Sequence, residues 1–169
     1  MKLKEFNFNI IEYSKKKLNG GTVFNLSYES GPMIFQSPKV LVKEILNFSK
    51  DSYFLIIEFI NNKGSDEFMK TLQSFEKSLS LIFKNNLESL VKGNTLKVKI
   101  PFKKESPVVK IYSQDQNLLS LYSLVPNQKI ILLLNCKYLW IPEFPECHND
   151  NNDNNEISYN IHVEEIMVF

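Results

Sequence analysis

"TLKVKIPFKKESPVVKIY", residues 95–112, alternates apolar and cationic side chains. In an extended chain Leu96, Val98 and Ile100 fall on one face, and Lys97 and Lys99 fall on the other. The stretch therefore predicts a half-buried strand whose lysines stand in solvent. Lys103 and Lys104 continue into a connection, and Lys110 and Tyr112 belong to the next strand, "SPVVKIY".

The same period recurs outward from this stretch. "EFNFNI" aligns Phe6, Phe8 and Ile10, and "TVFNLSY" aligns Thr22, Phe24, Leu26 and Tyr28. Asn19-Gly20-Gly21 between them supplies the positive-φ residues that a tight hairpin needs. "GPMIFQSPKVLV" reads as a short edge strand broken at Pro38, because proline cannot donate to a ladder. "YFLIIEFI", "LLSLYSL", "KIILLL", "KYLWI" and the closing "ISYNIHVEEIMVF" bring the expected set to about eight or nine strands.

One segment has the other period. In "GSDEFMKTLQSFEKSLSLIFKNN", Phe68, Leu72, Phe75, Leu79, Ile82 and Phe83 recur at helical spacing. This predicts one amphipathic helix at about 65–84, capped by Ser65 or Asp66, with Asp66 and Glu67 favourable at its positive end. A single helix among many short strands gives a mainly β chain: a small closed or partly closed barrel, or a sandwich.

The 169 residues are read as one domain, 1–169, whose size removes the need for a disulfide or metal staple. The apolar runs fall short of the roughly 20 residues that span a bilayer, so no membrane contact is expected. The first ten residues lack the uninterrupted apolar stretch of a secretory signal, and Cys136 and Cys147 are expected as reduced thiols in an intracellular compartment. Arginine and alanine are absent, while lysine and asparagine abound, a bias expected of an AT-rich genome. Lysine therefore supplies all the fixed positive charge, as a point charge.

That charge is uneven. Residues 1–112 hold 18 Lys against 11 acids, and residues 113–169 hold 2 Lys against 8 acids. A cationic working face and an acidic segment elsewhere are expected. The tract "ECHNDNNDNNE", 146–156, has almost no apolar residue and predicts a mobile acidic loop, at about 143–156 with its flanks.

Catalytic signals are missing: no Gly-rich phosphate loop, no G-x-S-x-G, no H-E-x-x-H and no C-x-x-C occurs. Neither an enzyme nor a metal or other cofactor is expected. Cys147 and His148 beside Asp150 and Asp153 lack the paired spacing of a structural zinc site. The lysines of 97–110, interleaved with Phe102 and Tyr112 and joined by Trp140, instead suit a groove that neutralises phosphates and stacks unpaired bases. Alternating lysine also blunts exposed sheet edges, and that reading stands beside the first.

Taken in order, "LSYESGPMIFQSPKVLV", "SYFLIIEFI", the helix around "FMKTLQSFEKSL", "LKVKIPF", and "LWIPEF" before "ISYNIHVEEIMVF" resemble the single-stranded-DNA-binding proteins of nucleocytoplasmic large DNA viruses, which are related to the podovirus OB-fold binding protein. The resemblance spans about residues 20–169. It implies an OB-like β-barrel with one inserted helix, which coats single-stranded DNA in viral replication, recombination or repair. It carries Phe35, Gln36 and Lys39 into the candidate site as members of the matching motif. The site then comprises Lys39, Lys97, Lys99, Phe102, Lys103, Lys104, Lys110, Tyr112 and Trp140. The chain departs from the family where "PEFPECHNDNNDNNE" follows the "LWI" strand, in place of a glycine. Replication proteins are expected partners of the acidic loop, and a homo-oligomer and a location in the host cytoplasm or viral replication factory fit the same reading. The alternative is a virion structural or assembly protein that uses the barrel as a scaffold.

Overall fold

A computed structural model of the chain describes residues 3, 7–49, 52–84, 87–142 and 158–169. The strands are β1 (Ile11–Leu18), β2 (Gly21–Tyr28), β3 (Ile34–Gln36), β4 (Val40–Ser49) and β5 (Ser52–Phe59). The helix α1 (Lys63–Phe83) follows, and then β6 (Val91–Lys92), β7 (Thr95–Ile100), β8 (Phe102–Lys103), β9 (Ser106–Pro107) and β10 (Lys110–Tyr112). The last strands are β11 (Leu118–Leu119), β12 (Lys129–Pro142) and β13 (Ser158–Val168). The chain is mainly β with one α-helix among the described residues, as its periodicities predict.

Five of these strands form a ring of pairings: β12 with β4, β4 with β5, β5 with β7, β7 with β13, and β13 back to β12. All are antiparallel except β7 with β13, which run parallel and meet at one residue pair, Lys99↔His162. Alternation along each strand fills the ring. Leu55 and Ile57 of β5, Leu96 and Val98 of β7, and Ile161 and Val163 of β13 point inward and are fully buried. The β1–β2 hairpin extends the sheet from β12, with β1 exposed along most of its length.

α1 packs its apolar stripe against the sheet through rings. Phe68 lies 6.1 Å from Phe35 and 5.8 Å from Phe59, Phe75 lies 5.3 Å from Phe8, and Phe83 lies 4.8 Å from Phe24. Phe68 and Phe75, both buried, each contribute on the order of 1.5–3 kcal/mol. The cap differs from the expected one. Asn62 is the N-cap, its side chain accepting from the Ser65 N–H at 3.0 Å, so the helix starts at Lys63 and Ser65 is buried within its first turn. Ile82, placed in the apolar stripe by spacing, is 39% exposed.

Several strand boundaries differ from the sequence reading. Phe8–Ile10 is a 3-10 turn, closed by the Ile10 N–H to the Asn7 carbonyl, because Phe8 is drawn onto Phe75. "LLSLYSL" holds only the two residues of β11; Ser120 then caps a turn, accepting from the Tyr122 N–H. "SPVVKIY" divides into β9 and β10. "KIILLL" and "KYLWI" join into the single strand β12, whose ladder with β13 shifts register between Cys136 and Tyr138. That bulge absorbs the polar interruption that had separated the two runs. The expected acidic loop at 143–156 lies outside the described residues.

Candidate nucleic-acid interface

β7 presents the predicted faces: Leu96, Val98 and Ile100 are buried, while Lys97 and Lys99 stand half-exposed on the outer surface. Their neighbours on β5 are outward-facing too, since Phe54 pairs with Lys99 and Ile56 with Lys97. The Lys97 ammonium sits 4.2 Å from the Phe54 ring centroid, a cation–π contact that holds the side chain along the strand surface. Lys99 has no carboxylate within ion-pairing distance among the described residues.

Across the ring's parallel junction, Lys99 meets His162, which in turn pairs with Asn135. Tyr138 covers the imidazole edge-on at 5.5 Å. Lys137 reaches Glu164 at 2.9 Å, and the Asn135 amide donates to the same carboxylate at 2.8 Å. Burial tends to raise Glu164, but the hydrogen bonds from Lys137 and Asn135 and the Lys137 charge outweigh it and hold the carboxyl below its ordinary range. Burial, then the Lys137 and Lys99 charges, push His162 down to about 4 against the opposing pull of Glu164, so the imidazole is neutral near pH 7. His162 Nε2 and Asn135 Oδ1 are buried without hydrogen-bond partners among the described residues.

Below the Lys99–His162 pair, β7 and β13 enclose a hollow of ≈ 300 Å³. Lys97 and Thr95 line one wall, Ser158 and Asn160 the other, with Ile56 at the side and Glu88, Ser89 and Lys92 closing the end. Its floor is tied to the helix. Glu76 of α1, buried, accepts from the Ser89 hydroxyl at 2.7 Å, the Leu90 N–H at 3.0 Å and the Tyr159 hydroxyl. Burial and the adjacent Glu76 keep the Tyr159 hydroxyl protonated by raising it above its ordinary value. Lys92 and Glu88 pair at 2.8 Å on the rim.

The other sequence-predicted residues divide among three places. Lys103 and Lys104 lie exposed on the β8–β9 hairpin, with Lys104 and Glu105 both left-handed in its two-residue turn (φ 51° and 63°). Phe102 starts that hairpin and stacks on Tyr53 at 4.2 Å and 10°, so one of its faces is already covered. Lys110 and Tyr112 pair with Glu165 and Met167, roughly 10 Å and roughly 17 Å along β13 from the His162 position by strand rise. Lys110 approaches Glu165 at 4.0 Å. Tyr112 lines a separate shallow hollow with Gln36, Ile131, Leu133 and Met167. Lys39 lies near the far end of β13, its ammonium 3.7 Å over the Phe169 ring. Phe35 is core, whereas Gln36 is exposed.

Trp140 is neither core nor free. It is half-buried on β12, opposite Val23 and Ser158, and its ring lies against the bare backbone of Gly21. A Cβ at Gly21 would stand 2.5 Å from Trp140 Cζ2 and 2.5 Å from the Ile141 carbonyl oxygen. Register continues this row through Val23 to Lys16 of β1. Sequence reasoning missed Phe54, Lys137, Tyr138 and Asn160 on the same outer surface. Their alternation was visible, but which strands would become neighbours was not.

No protein-family model matches the chain, and no curated protein matches it. Among the described residues no helix is long and apolar enough to cross a membrane.

Proposed function

We propose that the chain is a single-stranded DNA-binding protein with an OB-like barrel, and that it holds unpaired strands on the outer face of β5, β7, β12 and β13. The ring order supports the OB-like reading. Taken in chain order, its strands β4, β5, β7, β12 and β13 are arranged first, second, third, fifth, fourth. OB folds bind oligonucleotides over the second and third strands. Here those strands are β5 and β7, and the observation that carries the reading is their outward set: Lys97 and Lys99 beside Phe54 and Ile56. Lysines neutralise phosphates, and the rings of Tyr138 and Trp140 on β12, across β13 from β7, are candidates for stacking worth roughly 1–3 kcal/mol per base. The protein acts by coating DNA in replication, recombination or repair of a large DNA virus, with no bond chemistry, and works inside the infected cell.

The test is a titration of fluorescent oligo-dT of about 20–30 nucleotides with duplex and RNA competitors, repeated across salt, since site sizes run to roughly 16 nucleotides per OB fold. We expect tighter binding than to duplex, and a salt slope that flattens by about 0.7 for each phosphate-bound lysine removed in Lys97→Gln and Lys99→Gln. Equal binding to duplex, or an unchanged slope in the double variant, overturns the reading. A second reading, a virion assembly scaffold, is favoured by exposed apolar side chains around β10 and β11, where Leu118 is 71% and Met167 44% exposed. It predicts salt-insensitive, oligonucleotide-independent self-association.

A further inference from the structure

The hollow between β7 and β13 is not an incidental gap. Two parallel strands that meet at one residue pair leave the wall of the ring open, among the described residues, on the side of Thr95 and Ser158. The floor of that opening is fixed by Glu76, which ties Ser89, Leu90 and Tyr159 to the helix. The volume, ≈ 300 Å³, sits at the lower end of small-ligand pockets, roughly 300–1,000 Å³. Its lining is mixed: an aliphatic wall from Ile56, hydroxyls from Ser158 and Thr95, and the side chain of Asn160.

We infer that this hollow takes one unpaired base, turned out of the bound strand, and reads it through Asn160. The inference rests on the DNA-binding reading above and adds a base-selective position to it. A carboxamide offers one acceptor and a pair of donors side by side, which matches the adjacent N–H and C=O of a thymine or uracil edge. Ile56 packs against the ring, and Lys97 and Lys92 stand at the rim, where the phosphates flanking a turned-out nucleotide pass. Extruding a base is cheap here because a single strand has no pairing to break. Glu88 opposes Lys92 on the rim, so the phosphate-side attraction falls chiefly to Lys97 and Lys99.

The experiment compares wild-type protein and Asn160→Phe, which fills the hollow, on oligo-dT and on an oligomer of abasic residues of equal length. We expect wild type to prefer oligo-dT, and the variant to lower that preference ratio by about tenfold, the scale of one lost base contact. A folded variant that keeps the full ratio overturns the base site and leaves DNA binding standing. Failure of wild type to bind either polymer overturns the DNA-binding reading and the base site together. If Asn160→Phe does not fold, wild type decides. Thymidine monophosphate should shift the Asn160 side-chain amide resonances saturably, while deoxyribose 5-phosphate does not. No saturable shift with the nucleotide overturns the inference.

Discussion

The two edges of β13 are opposites. Along one, β13 is laddered to β12 from Trp140↔Ser158 to Ile130↔Val168. Along the other it touches β7 at Lys99↔His162 and then passes to β10 at Glu165. The zipped edge gains its stability from backbone hydrogen bonds and buried aliphatic pairs. The open edge replaces them with side-chain chemistry: a buried carboxylate, a neutral histidine and half-exposed lysines. On the DNA-binding reading proposed above, one strand serves as scaffold on one side and as binding surface on the other.

The largest effect should come from the open edge's anchor. Glu76→Ala removes the acceptor of the Tyr159 and Ser89 hydroxyls and the Leu90 N–H, and should cost about 3–5 kcal/mol in urea unfolding. Glu58→Ala on β5 removes one exposed hydrogen bond from Asn94 and should cost below about 0.5 kcal/mol. Similar losses at the two sites would mean that Glu76 does not anchor the open edge.

Next comes Gly21. Adding a methyl group there drives it into the Ile141 carbonyl and the Trp140 ring, so Gly21→Ala should destabilise by about 1–3 kcal/mol and shift Trp140 emission. A neutral substitution would mean that the indole is not seated on the β2 backbone.

The histidine gives a smaller, pH-dependent effect. Its value is about 4 in the folded protein, below the 6.5 of the free side chain, so the unfolded chain binds the extra proton first. Its contribution is therefore complete above pH 6.5 and is lost as pH falls from 6.5 towards 4, by roughly 1–3 kcal/mol. Lys99, Lys137 and Glu164 face the ring, and subtracting the His162→Gln profile from wild type cancels the carboxylates common to both. A flat difference across that window would show that His162 titrates normally.

The smallest effect belongs to Lys110. Its pair with Glu165 is solvent-exposed and 4.0 Å long, so Lys110→Gln should change stability by less than about 0.5 kcal/mol. A larger loss would extend the charged network of the open edge further along β13.

Much of the fold was legible because period 2 and period 3.6 are local signals. "LKVKI" announced its two faces, and the spacing of Phe68, Leu72, Phe75 and Leu79 announced the helix and its buried side. The ends of elements were harder, since they depend on which side chain captures a backbone group: Asn62 rather than Ser65 for α1, and Ser120 for the turn after β11. Least legible was the candidate site. Lys97 and Lys99 were evident, but Asn160 becomes interesting only because β13 lies parallel to β7, and Glu76 only because the helix turns it under Ser89 and Tyr159. Those are facts of tertiary adjacency, which no window of the chain contains. Lys39, Lys110 and Tyr112 were grouped with β7 by closeness in sequence or by resemblance, and the topology spreads them along the length of β13.

The ring has a consequence for synthesis. β7 and β12 do not pair with each other; β13, synthesised after both, joins them. At about 5–20 residues per second, the nascent chain carries the open edges of β7 and β12 for seconds before closure is possible. During that interval the outward lysines of β7 act as gatekeepers, making its edge a poor template for another chain.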